Sequence, residues 1–264
     1  MDLNGVTRLE PGVAELRLSG RIAVVTGASR GLGQAIAVSL ARAGAVLAVT
    51  ARDTAALAAT VRQLDELRVR HLAVALEVRD RDSIRTAVET IEGRLGPVDI
   101  LVNNAGVQRL RPAFEVSEDD WTYVLDTNLR GLFFCCQEAG RRMMVRRYGR
   151  IVNISSAAGV LPVADRVAYA ASKAGVNMLT RVLALEWAEF GITVNAVAPT
   201  FVETELGRQT LADPEVRAYW TDRIPLGRVA TPEDVSEAVV YLASPAADFI
   251  TGTVLPVDGG LTMR

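Results

Sequence analysis

Apolar runs of strand length alternate with longer amphipathic stretches along almost the whole chain. "RIAVVT" (21–26) leads into "GQAIAVSLARAG", "AVLAVT" (45–50) into "DTAALAATVRQLDELRV", and "HLAVALEV" (71–78) into "DSIRTAVETIEGRL". "DILVN" (99–103), "RIVNIS" (150–155), "ITVNAVA" (192–198) and "GTVLPV" (252–257) continue the series. These runs are apolar throughout rather than at every second residue, which marks strands covered on both faces. Such strands separated by helices predict an α/β fold: one doubly wound, seven-stranded parallel sheet with helices on both faces. No Pro/Gly/Ser-rich linker or internal repeat divides the chain, so one domain is expected over residues 15–264. Residues 1–14 stand outside it as an extension, expected to be disordered or to reach a neighbouring subunit. In an open sheet of this kind ligands gather beyond the carboxyl ends of the strands, where the winding reverses. Chemistry is therefore to be sought at the tips of the first, fourth, fifth and sixth strands.

Composition narrows the classes. Half of the 264 residues are apolar and 23% are charged, which suits one large core and is the wrong balance for disorder. A formal charge of −2 leaves no footprint for nucleic acid or an anionic membrane surface. No apolar run approaches a membrane span, and no basic stretch leads into an apolar core at the N-terminus. Neither a membrane anchor nor a signal peptide is expected, and the expected location is the cytoplasm. Cys135 and Cys136 are sequence neighbours, which suits buried packing rather than a disulfide framework. With only those thiols and one histidine, His71 at a strand start, no metal-ligand set is expected. The basic run "RRMMVRRYGR" (141–150) closes a helix, where cations suit the dipole. Trp121, Trp187 and Trp220 are read as packing residues.

The first strand runs into "TGASRGLG" (26–33). A glycine turn between a buried strand and a helix turns backbone N–H groups and the helix dipole toward a pyrophosphate. Gly27, Ser29, Arg30, Gly31, Leu32 and Gly33 are the candidate cofactor contacts there. The second strand ends "VTARD", placing Arg52 where an acidic side chain would hold a ribose 2′-hydroxyl and an arginine accommodates a 2′-phosphate. Arg30 and Arg52 together favour NADP(H) over NAD(H); Asp53 reads as a helix N-cap. The fourth strand ends "NNAG" (103–106), small enough for close approach to a flat cofactor.

In "VAYAASKAGV" (167–176), Tyr169 and Lys173 stand one helical turn apart on one face. A phenol titrates near pH 10, too high for acid–base work at neutral pH. A neighbouring ammonium, together with an oxidised nicotinamide, stabilises phenolate and lowers that value.

T-G-x-x-x-G-x-G, N-N-A-G, a serine closing the fifth strand, Y-x-x-x-K and a terminal "VDGG" (257–260), in this order and spacing, resemble the short-chain dehydrogenase/reductases over roughly residues 18–264. The resemblance implies a Rossmann-fold, NAD(P)-binding domain that also carries the catalytic residues, assembled as a homotetramer or homodimer. It implies Tyr169 as proton donor in ketone reduction and base in alcohol oxidation, with Lys173 bonding the nicotinamide ribose. Ser156, thirteen residues before the tyrosine as in that family, would polarise the substrate oxygen, while Ser155 points the other way. Asn128 of "LDTNLRG" matches the asparagine that helps hold a water near the lysine. Asn104, Ala105 and Gly106 would line the cofactor ribose, and Val202 and Thr204, beyond Pro199, would meet the carboxamide. Two departures are Pro199-Thr200 in place of Pro-Gly, and Glu77-Val78 in place of the Asp-Val that contacts adenine.

Residues 200–228 are expected to form a helical flap over the substrate. With "NNAGVQRLRPAFEVSEDDW", this region is most similar to gluconate 5-dehydrogenases and related sugar-acid or polyol dehydrogenases. The expected reaction is NADP(H)-dependent oxidation of a secondary alcohol on a small polyhydroxylated compound. Arg109 and Arg111 are candidates for pairing with a substrate carboxylate. The alternative is 3-oxoacyl-[acyl-carrier-protein] reduction, which in this family uses a basic pair to contact the carrier; Arg147 matches one member, and Phe190 stands at the other. A nucleotide-sensing or scaffold protein without chemistry is a further alternative, which the presence of all four of Asn128, Ser156, Tyr169 and Lys173 opposes.

Overall fold

Every side chain of the first strand, "IAVV", is buried, because it lies inside a sheet sandwiched between two helical layers. The computed structural model describes residues 18–263, so the extension expected over 1–14 lies outside the described residues. The seven strands are β1 (Ile22–Val25), β2 (Val46–Ala51), β3 (His71–Ala75), β4 (Ile100–Asn103), β5 (Gly149–Ile154), β6 (Ile192–Pro199) and β7 (Val254–Val257). All pair in parallel, in the order β3-β2-β1-β4-β5-β6-β7. The expected sheet is thus present in full. The winding reverses between β1 and β4, so a crevice opens beyond their carboxyl ends.

One face of the sheet packs on α1 (Gly31–Arg42), α2 (Ala58–Glu66) and α9 (Pro232–Ala243) through residues such as Ile36, Leu64 and Val239. On that side Ser39 and Ser236 share a buried hydrogen bond of 2.9 Å between α1 and α9. The other face packs on α3 (Arg81–Arg94), α5 (Leu132–Arg146) and α6 (Val167–Trp187) through Ile91, Met143 and Val176. Cys135 and Cys136 belong to this second core, as expected, and burial pushes the Cys135 thiol up to about 12. The short helices α4 (Glu118–Leu125), α7 (Glu205–Thr210) and α8 (Pro214–Arg223) lie toward the crevice, the last two within the expected flap.

Three expectations need correction. The third strand stops at Ala75 rather than Val78, because the Ser83 hydroxyl accepts from Glu77 N at 3.0 Å and turns the chain toward α3. The basic run 141–150 is only partly a helix end. Arg142 and Arg146 pair with Glu92, and Arg150 is buried in β5 against Asp248 at 2.6 Å. Trp187 packs, with its ring over Gly140, but Trp121 is 41% exposed. Among the described residues no helix is long and apolar enough to cross a membrane.

Candidate active site

The tips of β1, β2, β4, β5 and β6 meet around one cavity of about 640 Å³. Its floor is the glycine turn. Gly27 and Gly31 have φ of +64° and +57°, a region that side chains disfavour. A Cβ on Gly27 would stand 2.9 Å from Ala105 Cα, and one on Gly33 would stand 2.3 Å from the Gly27 carbonyl oxygen. The turn therefore lies directly against the tip of β4, and a side chain there would fill the cradle. The helix behind it, α1, has no side-chain cap and no acidic residue in its first turn, so its N-terminal amides and dipole suit a phosphate.

A single hydroxyl ties these two tips together. Thr26 Oγ1 accepts from the backbone N–H groups of both Asn104 and Ala105 at 3.0 Å. The Asn104 amide in turn donates to the carbonyls of Thr26 and Gly27, so that side chain shapes the turn while lining the cavity. Thr26 is the opening residue of the glycine motif, yet the spacing alone gave no hint of this double acceptance.

At the far end Ser29, Leu32, Arg52 and Val78 line the cavity. Asp53 is committed as a cap, accepting from Ala55 N at 2.9 Å, as expected. Two side chains differ from expectation. Arg30 lines the cavity together with Arg52, but its guanidinium pairs with Glu205, at the start of α7, at 3.0 Å. The Glu77 carboxylate is gripped by Arg79 through both oxygens, which holds its pKa below the usual carboxylate value. Arg79 itself lines the cavity and was not anticipated.

At the near end Ser156, Tyr169 and Lys173 come together on the cavity wall with Gly106. Ser155 points away, as expected, donating to Asn177 Oδ1 at 2.5 Å. Lys173 is 4% exposed; its Nζ donates to the Ile154 carbonyl at 2.7 Å, and burial lowers its pKa to about 8. Burial raises the Tyr169 pKa, and Ser156 and Arg166, not Lys173, oppose it.

Asn128 is brought near but does not line the cavity. It is fully buried, donating to the Val107 carbonyl at 2.8 Å and to Ser172 Oγ at 3.1 Å, and accepting from Val107 N at 2.8 Å. Its amide fixes the loop after β4, within a π-helical stretch at Asp126–Gly131.

Pro199 and Val202 line the cavity beyond β6, while the Thr204 hydroxyl caps α7 by accepting from Gly207 N at 3.2 Å. Thr200, which stands where that family carries glycine, also lines the cavity, and its buried Oγ1 has no hydrogen-bond partner among the described residues. An orphaned hydroxyl, an open helix N-terminus and the glycine cradle all fit a nicotinamide dinucleotide. Among the described residues no group of three His, Cys, Asp or Glu side chains could hold a metal.

Arg109, which lines the cavity, and Arg111 are both exposed and share one acidic neighbour. Both are drawn to Asp120, at 3.6 Å and 3.8 Å. Arg166 also lines the cavity, and the aromatic wall there is Phe201 packed at a tilt against Trp220, with ring centres 4.9 Å apart. Neither follows from periodicity, although Trp220 lies in the region expected to form the flap over the substrate.

The chain is similar to known proteins along almost its whole length. A family model described as enoyl-(acyl carrier protein) reductase matches residues 27–262. D-threitol dehydrogenase of Mycolicibacterium smegmatis is 42% identical over 250 residues, covering 95% of this chain and 96% of that protein. A 3-oxoacyl-[acyl-carrier-protein] reductase of Vibrio harveyi is 42% identical over 248 residues, covering 94% and 100%. Among solved structures, a gluconate 5-dehydrogenase from Burkholderia cenocepacia, in complex with NADP and tartrate, is 37% identical with a TM-score of 0.92, covering 96% and 99%. Matched along almost its whole length by a family model and by such relatives, the chain belongs to the short-chain dehydrogenase/reductases, oxidoreductases acting on CH–OH groups.

Proposed function

We propose that the protein catalyses reversible, NADP(H)-dependent interconversion of a secondary alcohol and a ketone on a small polyhydroxylated substrate, a sugar acid or polyol. The observation that carries this reading is the meeting of Ser156, Tyr169 and Lys173 on the wall of the cavity whose floor is the glycine turn. Bound NADP(H) supplies the hydride chemistry. Ser156 places the substrate oxygen by hydrogen bonding, and Tyr169 gives that oxygen a proton in reduction or takes one in oxidation. Lys173 holds its charge beneath them, and Asn128 keeps the loop after β4 in position. A phenol raised by burial stays protonated at neutral pH, which suits the reductive direction.

Preference for NADP(H) rests on Arg52 at the tip of β2 beside an Asp53 already spent as a cap. The NADP in the Burkholderia relative supports it, and the tartrate there, a hydroxylated dicarboxylate, supports the substrate class. Assembly as a homotetramer is supported by Met178, Val182 and Leu185, apolar, exposed and spaced to share one face of α6. One domain over residues 15–264 serves both cofactor and substrate.

Acyl-carrier reduction is the weaker reading despite the Vibrio relative. Arg147 is tied to the Glu189 carbonyl at 2.5 Å, and Phe190 packs against the second core instead of offering a cation.

The deciding experiment is Tyr169→Phe. Loss of the hydroxyl should cut turnover by about 10²–10⁴-fold, while NADPH binding, followed by fluorescence, is retained. Unchanged turnover would overturn the role given to the phenol.

A further inference from the structure

Arg166 is a half-buried cation in the cavity; the exposed carboxylate of Asp165, next to it in the chain, attracts it but makes no ion pair with it among the described residues. Its guanidinium donates from Nη1 to Gln108 Oε1 at 2.8 Å and lies 5.6 Å from the centre of the Phe201 ring. Both neighbours are neutral. Among the described residues no carboxylate forms an ion pair with it, whereas Arg30, Arg79, Arg109 and Arg111, around the same cavity and loop, all have one. The surrounding wall, with Leu161, Val163 and Trp220, is apolar. Burial weakens the hold on its proton, outweighing the opposing pull of Tyr169 and Asp165, as befits a guanidinium held partly away from water.

The backbone aims it there. Asp165, immediately before it, has φ of +60°, and its carbonyl accepts from Arg111 N at 3.0 Å. Non-glycine residues are uncommon in this region, and there the conformation is held by surrounding contacts. Arg166 then opens α6 three residues before Tyr169, so the guanidinium and the phenol border the same space.

We propose that Arg166 anchors a carboxylate of the substrate, so that the cavity selects hydroxy acids over neutral polyols of equal length. This rests on the dehydrogenase reading above and narrows it. A guanidinium takes a carboxylate through two parallel N–H···O bonds, and a desolvated site makes that pairing strong. The carboxylate at Arg166 leaves the hydroxyl-bearing carbons to reach Ser156 and Tyr169. The anchor thus stands at the N-cap of the helix that carries Tyr169 and Lys173.

The test uses the full chain loaded with NADPH, a state that cannot oxidise alcohols, so calorimetry reads binding alone. Glycerate is compared with glycerol, and gluconate with sorbitol. At least one acid should bind about tenfold or more tighter than its neutral partner. Arg166→Gln should erase that preference, and Arg166→Lys should keep only part of it, since an ammonium cannot form the fork. NADPH affinity, measured in the same titrations, reports whether each variant is folded; if Arg166→Gln is not, the partial loss in Arg166→Lys decides. If neither acid outbinds its polyol, or the preference survives in the folded variants, the proposal is overturned. Because no turnover is needed, this outcome is distinct from failure of the dehydrogenase reading, which Tyr169→Phe addresses.

Discussion

Lys173 Nζ lies 5.7 Å from the centre of the Tyr169 ring and gives its hydrogen bond to the Ile154 carbonyl at 2.7 Å. The ammonium is thus held under the phenol by the main chain of β5. Burial there favours the neutral amine, which moves the folded-state pKa to about 8 from the ordinary 10.5. A depressed folded value means stability that is fully present above the unfolded pKa and is lost as pH falls toward the folded one. In urea titrations, wild type should therefore gain about 1.5 kcal/mol relative to Lys173→Met between pH 8 and pH 9.5. Parallel curves for the two proteins would show that the lysine is not buried as a charge.

Arg52 stands at the tip of β2, and the carboxylate beside it is used as a cap. Arg52→Ala should raise the KM for NADPH by about 10- to 100-fold, the worth of a charge-assisted contact to phosphate. The KM for NADH should change much less. Equal effects on both cofactors would show that this arginine meets no 2′-phosphate.

Gly33 has no room for a side chain. Its Cβ would stand 2.3 Å from the Gly27 carbonyl and 2.4 Å from the Asn104 amide nitrogen. Gly33→Ala must push the turn away from β4, at a cost of about 1–3 kcal/mol. The expected result is a lower Tm together with an NADPH Kd raised at least about tenfold.

Thr26→Val keeps the shape of the side chain and removes the oxygen that two backbone amides use. Two donors without an acceptor should cost roughly 2 kcal/mol, and a chain of this size should lose about 4–8 °C in Tm. Thr26→Ser, which restores the acceptor, should recover most of that loss.

The architecture was legible because it rests on local pattern. Largely apolar runs such as "IVNI" and "VNAVA" sit in strands covered on both faces, and Gly27 and Gly31 adopt the positive φ that a turn from strand to helix demands. Ser156, Tyr169 and Lys173 reach the cavity because their positions follow from one strand end and one helical face. Pairings between distant segments were not legible. Arg30 finds Glu205 across 175 positions, and Arg109 finds Asp120 only after the loop beyond β4 has folded back. Arg166 looked like any loop arginine, since its direction depends on one positive φ at Asp165 and on Gln108, 58 positions away.

Thr26 and Asn104 are separated by 78 positions, and Ser39 and Ser236 by 197. No fragment of the polypeptide, and no early folding intermediate that contains one half of the sheet, owns a complete nucleotide cradle. Dinucleotide occupancy is therefore an all-or-none report on the whole chain. Saturating ligand should slow global unfolding and protease cleavage everywhere at once, instead of protecting only the segments it touches.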